Sequence, residues 1–248
     1  RLQRVLEESG LDENTVVIFT ADHGEMLGER GMWYKFNPFE WSVRVPMVIA
    51  APGGLKGVRE KRLVSLVDLL PTFIDFASPT DKVKPVDLID GKSIKPLLYG
   101  EQDNQSDEVM IEFTAEGTYA PALILRKGDW KYIYCETDPG MMFNLRTDPN
   151  ETQNLCENPE FKGRAEEMVT DILSRWNPQE MKKDIIASQQ RRHFVQRVLM
   201  KGTSRPWDFQ PHFNASNQYL RTGNSPTAVK GRARFPLVPE KEKDYPRN

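Results

Sequence analysis

Apolar positions along this chain change period three times, and each change marks a different kind of element. Residues 1–9 (RLQRVLEES) place Leu2, Val5 and Leu6 on one face of a helix, with Gly10 as its C-cap. Residues 16–20 (VVIFT) form a continuous β-branched and aromatic run, too short for an amphipathic helix, and predict a buried strand. A second run at 45–50 (VPMVIA) predicts another strand, closed by the turn signal Pro52-Gly53-Gly54. Residues 63–77 (LVSLVDLLPTFIDFA) read as a helix with Asp68 as N-cap and Pro71 in the first turn. Its Leu69, Leu70, Phe73, Ile74 and Phe76 are expected to face a core. Strand and helix alternating in this way predict an α/β fold, with a mostly parallel sheet sandwiched by helices.

The pattern then shifts. From 78 to 107 Pro, Asp, Lys and Gly dominate, a surface connection around the short apolar segment 94–99. Residues 109–113, 122–126, 130–135 and 142–145 are short strands separated by turn residues such as Lys127-Gly128-Asp129, predicting a small antiparallel α+β subdomain. Residues 161–176 follow as an amphipathic helix with Phe161, Ala165, Met168, Val169, Ile172 and Leu173 on its buried side. A second helical pattern at 181–199 carries a basic face with Arg191, Arg192 and Arg197, read as a solvated or interface face. From Gly202 onward an extended tail keeps Trp207, Phe209, Phe213 and Tyr219, too aromatic for plain disorder. The expected divisions are 1–105, 106–178 and 179–248.

Composition narrows the classes. The 248 residues carry a net charge of −2, with 28% charged and 38% hydrophobic residues, a pI near 6.0 and a mean hydropathy of −0.60. Such a chain is polar but foldable, and it is not a nucleic-acid binder acting through general basicity. No apolar stretch is long enough to span a bilayer, so no membrane role is expected. Cys135 and Cys156 are the only cysteines, which excludes a disulfide framework and favours a reducing, cytoplasmic setting. Because the sequence opens directly on helical periodicity, it is expected to begin inside an element, as a piece of a longer chain.

The candidate chemistry sits between the first two apolar runs. Asp22, His23 and Gly24 follow the strand at 16–20, and the ends of strands are where open α/β sheets bind ligands. Lys35 lies among Trp33, Tyr34 and Phe36, and Arg44 precedes the second run. A carboxylate, an imidazole and two cations near one strand end suggest a metal and an anionic substrate. Asp22 offers a hard oxygen ligand suited to Ca²⁺ or Mg²⁺, whereas His23 suits Zn²⁺ better. Asp-His-Gly taken alone also reads as a turn, with Gly24 at positive φ, and Lys35 alone as a surface lysine packed over Trp33.

The longer pattern TADHGEMLGERGMWYK, followed by FE and RVPMV, resembles the metal-site segment of sulfatases in the alkaline-phosphatase superfamily. GERGMWYK looks most like choline sulfatases; DGKSIKPLLYG, LRKGDWKYIY, MMFNLRTDPNETQNL and the tail segments WDFQPHFNASNQYLR and RARFP extend the resemblance over nearly the whole chain. The resemblance implies that Asp22 and His23 hold a divalent metal, Ca²⁺ ahead of Mg²⁺ or Mn²⁺, and that Lys35 acts on the leaving group of a small anionic sulfate ester. It implies a formylglycine nucleophile made from a C/S-x-P-x-R motif. That motif does not occur here, so the nucleophile is expected on a part of the protein outside these residues.

Two substrate contacts follow from the same source. Glu112, in IEFTAEG, aligns with a glutamate that resembles the choline-contacting one, with Glu116 as fallback. Asn214 stands where choline sulfatases tend to have the aspartate of D-A-S, so a carboxylate is replaced by an amide and choline itself is in doubt. The tail is further expected to join subunits in a homo-oligomer. The rival readings are a phosphate- or phosphonate-ester hydrolase of the same superfamily, whose zinc-site segment Thr-Ala-Asp-His also resembles, and a non-enzymatic fragment that only completes an assembly.

Overall fold

The computed structural model describes residues 1–78, 85–101, 106–114 and 118–203. The chain divides into two units, Arg1–Arg192 and His193–Asn248. The first unit begins with α1 (Leu2–Ser9), which ends at Gly10 in the left-handed conformation expected of a glycine C-cap. Strand β1 (Val17–Thr20) and strand β2 (Met47–Ala50) follow, and between them lies the four-residue helix α2 (Glu40–Val43).

β1 and β2 pair antiparallel, with Val17 opposite Ala50 and Thr20 opposite Met47. The expected mostly parallel sheet is therefore corrected. A parallel return needs a crossover that carries the chain back along the sheet, usually on a helix. Residues 21–46 contain no helix longer than α2, only that and a three-residue 3₁₀ turn (Glu29–Gly31), so they stay at one end of the ribbon and β2 runs back beside β1. Neither strand is buried on both faces: Phe19 is 66% exposed and its partner Val48 63%. α1 buries none of its residues, so Leu2 and Val5 remain exposed as well.

The predicted helix at 63–77 begins as a single 3₁₀ turn and becomes α3 (Leu69–Ala77). Asp68 holds the position before α3 but does not cap it with its side chain; its carboxylate accepts instead from Ser65 N–H at 2.7 Å, in the capping box of the 3₁₀ turn, and from Lys92 N–H at 2.9 Å. α3 buries Thr72, while Leu70 and Phe73 stay exposed rather than facing a core. A short α4 (Lys95–Leu98) falls within the predicted segment 94–99.

The second sheet matches the short strands predicted at 109–113, 122–126 and 130–135, while its fourth strand starts at Asp138 instead of 142. Strands β3 (Glu108–Phe113), β4 (Ala122–Lys127), β5 (Trp130–Cys135) and β6 (Asp138–Asn144) form an antiparallel meander in sequence order. Helix α5 (Lys162–Arg175) lies on one face, where its Ala165, Met168 and Ile172 pack against Leu123, Leu125, Tyr132 and Met142. The other face packs Ile124, Ile133 and Phe143 against Met26 and Phe39, which belong to the loop between β1 and β2. Burying each of those two side chains stabilises the loop by roughly 1.5–3 kcal/mol. That loop is thus fastened to the sheet, not left free above β1. Helix α6 (Pro178–Leu199) completes the described elements, and among the described residues no helix is long and apolar enough to cross a membrane.

Candidate active site

The loop at the open end of the β1–β2 ribbon gathers most of the predicted chemistry. Asp22, His23, Lys35 and Arg44 line one cavity of about 460 Å³, together with Asn37, Glu40, Ser42, Arg126 and Lys131. Asp22 Oδ1 accepts from the His23 N–H at 3.0 Å, and His23 Nε2 lies 3.5 Å from Asp22 Oδ2. On its other side the imidazole places Nδ1 2.6 Å from the Gly24 carbonyl. A carbonyl only accepts, so Nδ1 carries a proton, and in the neutral imidazole the lone pair is on Nε2, the nitrogen that faces Asp22. An exposed carboxylate beside an imidazole fixed in that tautomer fits two ligands of a divalent cation. Among the described residues no group of three or more His, Cys, Asp or Glu side chains is assembled to hold one.

Gly24 is required by close approach, not by backbone conformation. Its φ is not positive, unlike that of Gly10 or Gly28, so the simple turn reading of Asp-His-Gly fails. Instead its N–H donates to Ser42 O at 2.8 Å. A methyl at Gly24 would meet the Trp41 carbonyl oxygen at 2.0 Å. The residue after His23 is therefore pressed against α2.

α2 holds the other half of the site too. Ser42 Oγ donates to the Lys35 carbonyl, which also accepts from Asn37 N–H at 2.7 Å. The Lys35 ammonium stands 5.8 Å from the centre of the Phe36 ring, and no described carboxylate pairs with it. An unpaired ammonium in the same cavity as a carboxylate–imidazole pair can neutralise negative charge on a bound ester.

Glu112 is not brought into this cavity. It lies on the α5 side of β3, where its carboxylate accepts from the Trp176 indole N–H. It lines a second cavity of about 500 Å³ with Asp68, Asp90, Glu108 and Arg175. There the Arg175 guanidinium, 2.6 Å from Glu108 Oε1, holds the Glu108 carboxyl below its usual range. Leu63, Val64, Ser65, Val67, Val109 and Met110 border both cavities. Glu116, Asn214 and the tail at 207–221 lie outside the described residues.

Sequence reasoning missed Glu40, Arg126 and Lys131 in the wall of the first cavity. A signal was present for Lys131: in β5 it alternates onto the face of Ile133, so a charge occupies a core position. Glu40 carried a weaker one, a carboxylate set between Phe39 and Trp41.

Comparison with known proteins bears on the same segments. Residues 1–79 match the family model described as Sulfatase, and residues 183–235 match the one described as Choline sulfatase enzyme C terminal. The choline-sulfatase of Rhizobium meliloti (strain 1021) is 36% identical over 230 residues, which covers 90% of this chain and 44% of that protein. Arylsulfatase K of Gallus gallus is 32% identical over 180 residues, covering 68% of this chain and 33% of that protein. Among solved structures, the phosphonate monoester hydrolase of Agrobacterium radiobacter aligns with a TM-score of 0.61 at 26% identity, covering 70% of this chain and 37% of that one. The chain spans less than half the length of these relatives.

Proposed function

Because this chain belongs to the sulfatase family, we propose that it forms part of an enzyme that hydrolyses a sulfate monoester, choline-O-sulfate or a similar small ester. One observation carries the reading: Asp22, His23 and Lys35 share a single cavity at the open end of the β1–β2 ribbon. Asp22 and the Nε2 lone pair of His23 would hold a divalent cation, with Ca²⁺ ahead of Mg²⁺ or Mn²⁺ because a hard carboxylate oxygen is one of the donors. Bound there, the cation would supply Lewis-acid stabilisation to a sulfuryl oxygen.

The residues of this chain have separable tasks. Lys35 neutralises the charge that develops on the leaving oxygen as the S–O bond breaks. Gly24 and Ser42 tie the backbone beside His23 and the backbone carbonyl of Lys35 to the same helix, α2. The nucleophile is a formylglycine on a part of the protein outside these 248 residues, which contain no C/S-x-P-x-R motif. We assign Glu112 and Asn214 to the cationic end of the substrate; for Glu112 the support is that its cavity shares walls with that of Lys35. Assembly as a homo-oligomer through the tail and a cytoplasmic location belong to the same reading.

The similarity to a phosphonate monoester hydrolase favours a second reading, hydrolysis of a phosphonate or phosphate ester at the same cavity. Turnover of choline-O-sulfate, an aryl sulfate and a phosphonate monoester separates the two, measured on the polypeptide or assembly that supplies the nucleophile. Metal analysis of the same sample should find calcium. Preference for the phosphonate with stoichiometric zinc would overturn the sulfatase reading. No turnover of any ester would leave only the non-enzymatic role.

A further inference from the structure

The candidate cavity rests on a charged core that none of the steps above uses. Glu40 opens α2 and turns its carboxylate onto the sheet: Oε1 lies 3.0 Å from Lys131 Nζ, and Oε2 accepts from Arg126 Nη1 at 2.8 Å. Lys131 Nζ is also 2.8 Å from Glu151 Oε1, and Glu151 Oε2 accepts from the backbone N–H of Glu40 at 2.7 Å. Lys131 and Glu151 are 0% and 1% exposed. Arg30 closes the far side, donating to the carbonyls of Asn150 and Glu151 while its guanidinium sits 4.1 Å from the centre of the Phe39 ring.

This arrangement is not explained by stability alone. A buried ion pair seldom improves on apolar side chains of the same volume, because desolvating both charges offsets their attraction. Arg30 and Glu151 each hold φ at 54°, a left-handed conformation that disfavours any residue with a Cβ. A directional network can define a geometry that apolar packing leaves loose. What this one defines is the placement of α2, since Glu40 contributes both its carboxylate and its backbone N–H.

α2 in turn carries the site. The Ser42 carbonyl holds Gly24 N–H, next to His23. The Ser42 hydroxyl holds the Lys35 carbonyl, and Phe39 N–H donates to Asn37 Oδ1 at 3.0 Å, closing the turn after Lys35. We propose that Glu40, clamped by Lys131, Arg126 and Glu151, is a positioning residue: by fixing α2 it sets the Asp22–His23 pair and Lys35 relative to one another. This rests on reading the cavity as the metal-dependent ester-hydrolase site.

The test uses the whole protein, the polypeptide or assembly that carries these 248 residues and supplies the nucleophile. Amide hydrogen exchange is followed at Gly24 and Asn37, whose N–H groups report the two sides of the site, and at α5 as an internal control. In Lys131→Met, exchange at Gly24 and Asn37 should rise by about a hundredfold, the scale on which removing one partner breaks a buried pair, while α5 keeps its protection. The dissociation constant for calcium, titrated on the same samples, should rise by about tenfold or more. If Lys131→Met does not fold, Glu40→Gln keeps the Lys131–Glu151 pair intact and should raise exchange at the same two amides in the same selective way. Unchanged exchange there, or a rise only in step with α5, makes the network a folding element and overturns the proposal. A wild-type chain that binds no calcium defeats the metal reading of the cavity, and the exchange data still decide the positioning claim.

Discussion

Gly24→Ala puts one methyl group where the structure has no room for it. The new carbon would stand 2.0 Å from the Trp41 carbonyl oxygen and 3.1 Å from that of Arg44. Both are backbone atoms of α2 and its C-cap, so no side chain can rotate away. Reaching the 3.0 Å that real Cβ atoms keep demands a displacement of about 1 Å between Gly24 and α2. Overpacking of this kind costs about 1–3 kcal/mol. The Gly24 N–H to Ser42 bond would be lost with it, adding about 1 kcal/mol. For a unit of this size the sum lowers the melting temperature by about 5–15 °C. His23 moves with its neighbour, and a displacement of about 1 Å at a functional group can cost roughly a hundredfold in activity. The assay is a thermal melt of the chain with and without calcium, paired with calorimetric titration of calcium. Gly31→Ala is the control: its added carbon meets nothing within 4 Å, but its φ of +71° imposes backbone strain. That variant should lose about 1 kcal/mol and bind calcium as the wild type does. A Gly24→Ala chain with wild-type melting and wild-type calcium affinity would refute the close-approach reasoning.

Lys35→Ala should lower kcat by roughly a hundredfold or more in the complete enzyme and leave the melting temperature nearly unchanged; wild-type turnover with a collapsed melting temperature would assign Lys35 to packing instead. Glu108, held below its ordinary pKa of 4.5 by its hydrogen bond to Arg175, contributes stability that is complete above pH 4.5 and lost as pH falls through the lowered folded value. Arg175→Gln should therefore flatten the fall in melting temperature on the acid side, and an acid limb identical to wild type would contradict it. Ending the chain after Lys201 should weaken assembly and raise KM, read by native mass and steady-state kinetics; no change in either would deny the tail a role.

Three strands of the antiparallel sheet were legible to within a residue because two independent signals agree there, whereas β6 begins at Asp138, four residues before the predicted start at 142. Short apolar and aromatic runs mark β4 and β5, and Lys127-Gly128-Asp129 leaves no length for anything but a hairpin. Helix α5 was legible for a similar reason, since Ala165, Met168 and Ile172 recur at helical spacing and are its buried residues. The direction of β2 was not legible. Apolar runs say where strands lie and nothing about their sense, which depends on whether residues 21–46 cross the sheet or stay at one end. Exposure of Phe19, Val48, Leu70 and Phe73 was equally hidden, because apolar patterning identifies the face that can be buried and not what covers it.

The site divides along a similar line. Asp22, His23 and Lys35 could be named because the pattern TADHGEMLGERGMWYK around them resembles the metal-site segment of sulfatases, while read alone they suggest a turn and a surface lysine; the structure brings all three to one cavity. Glu40 and Lys131 could not be paired from sequence: they are 91 positions apart, and their partnership exists only because β5 presents Lys131 on the face that receives Phe39 and Met26. The apolar cluster and the ion network are thus two parts of one attachment. Phe39 buries its ring against Phe143 at a centroid distance of 6.3 Å, while the next residue, Glu40, anchors the charge. The apolar contact supplies most of the attraction that brings the loop to the sheet. The directional contacts then select one orientation of α2 among those that would bury the same ring, which is the property a site with ligands on two separate segments requires.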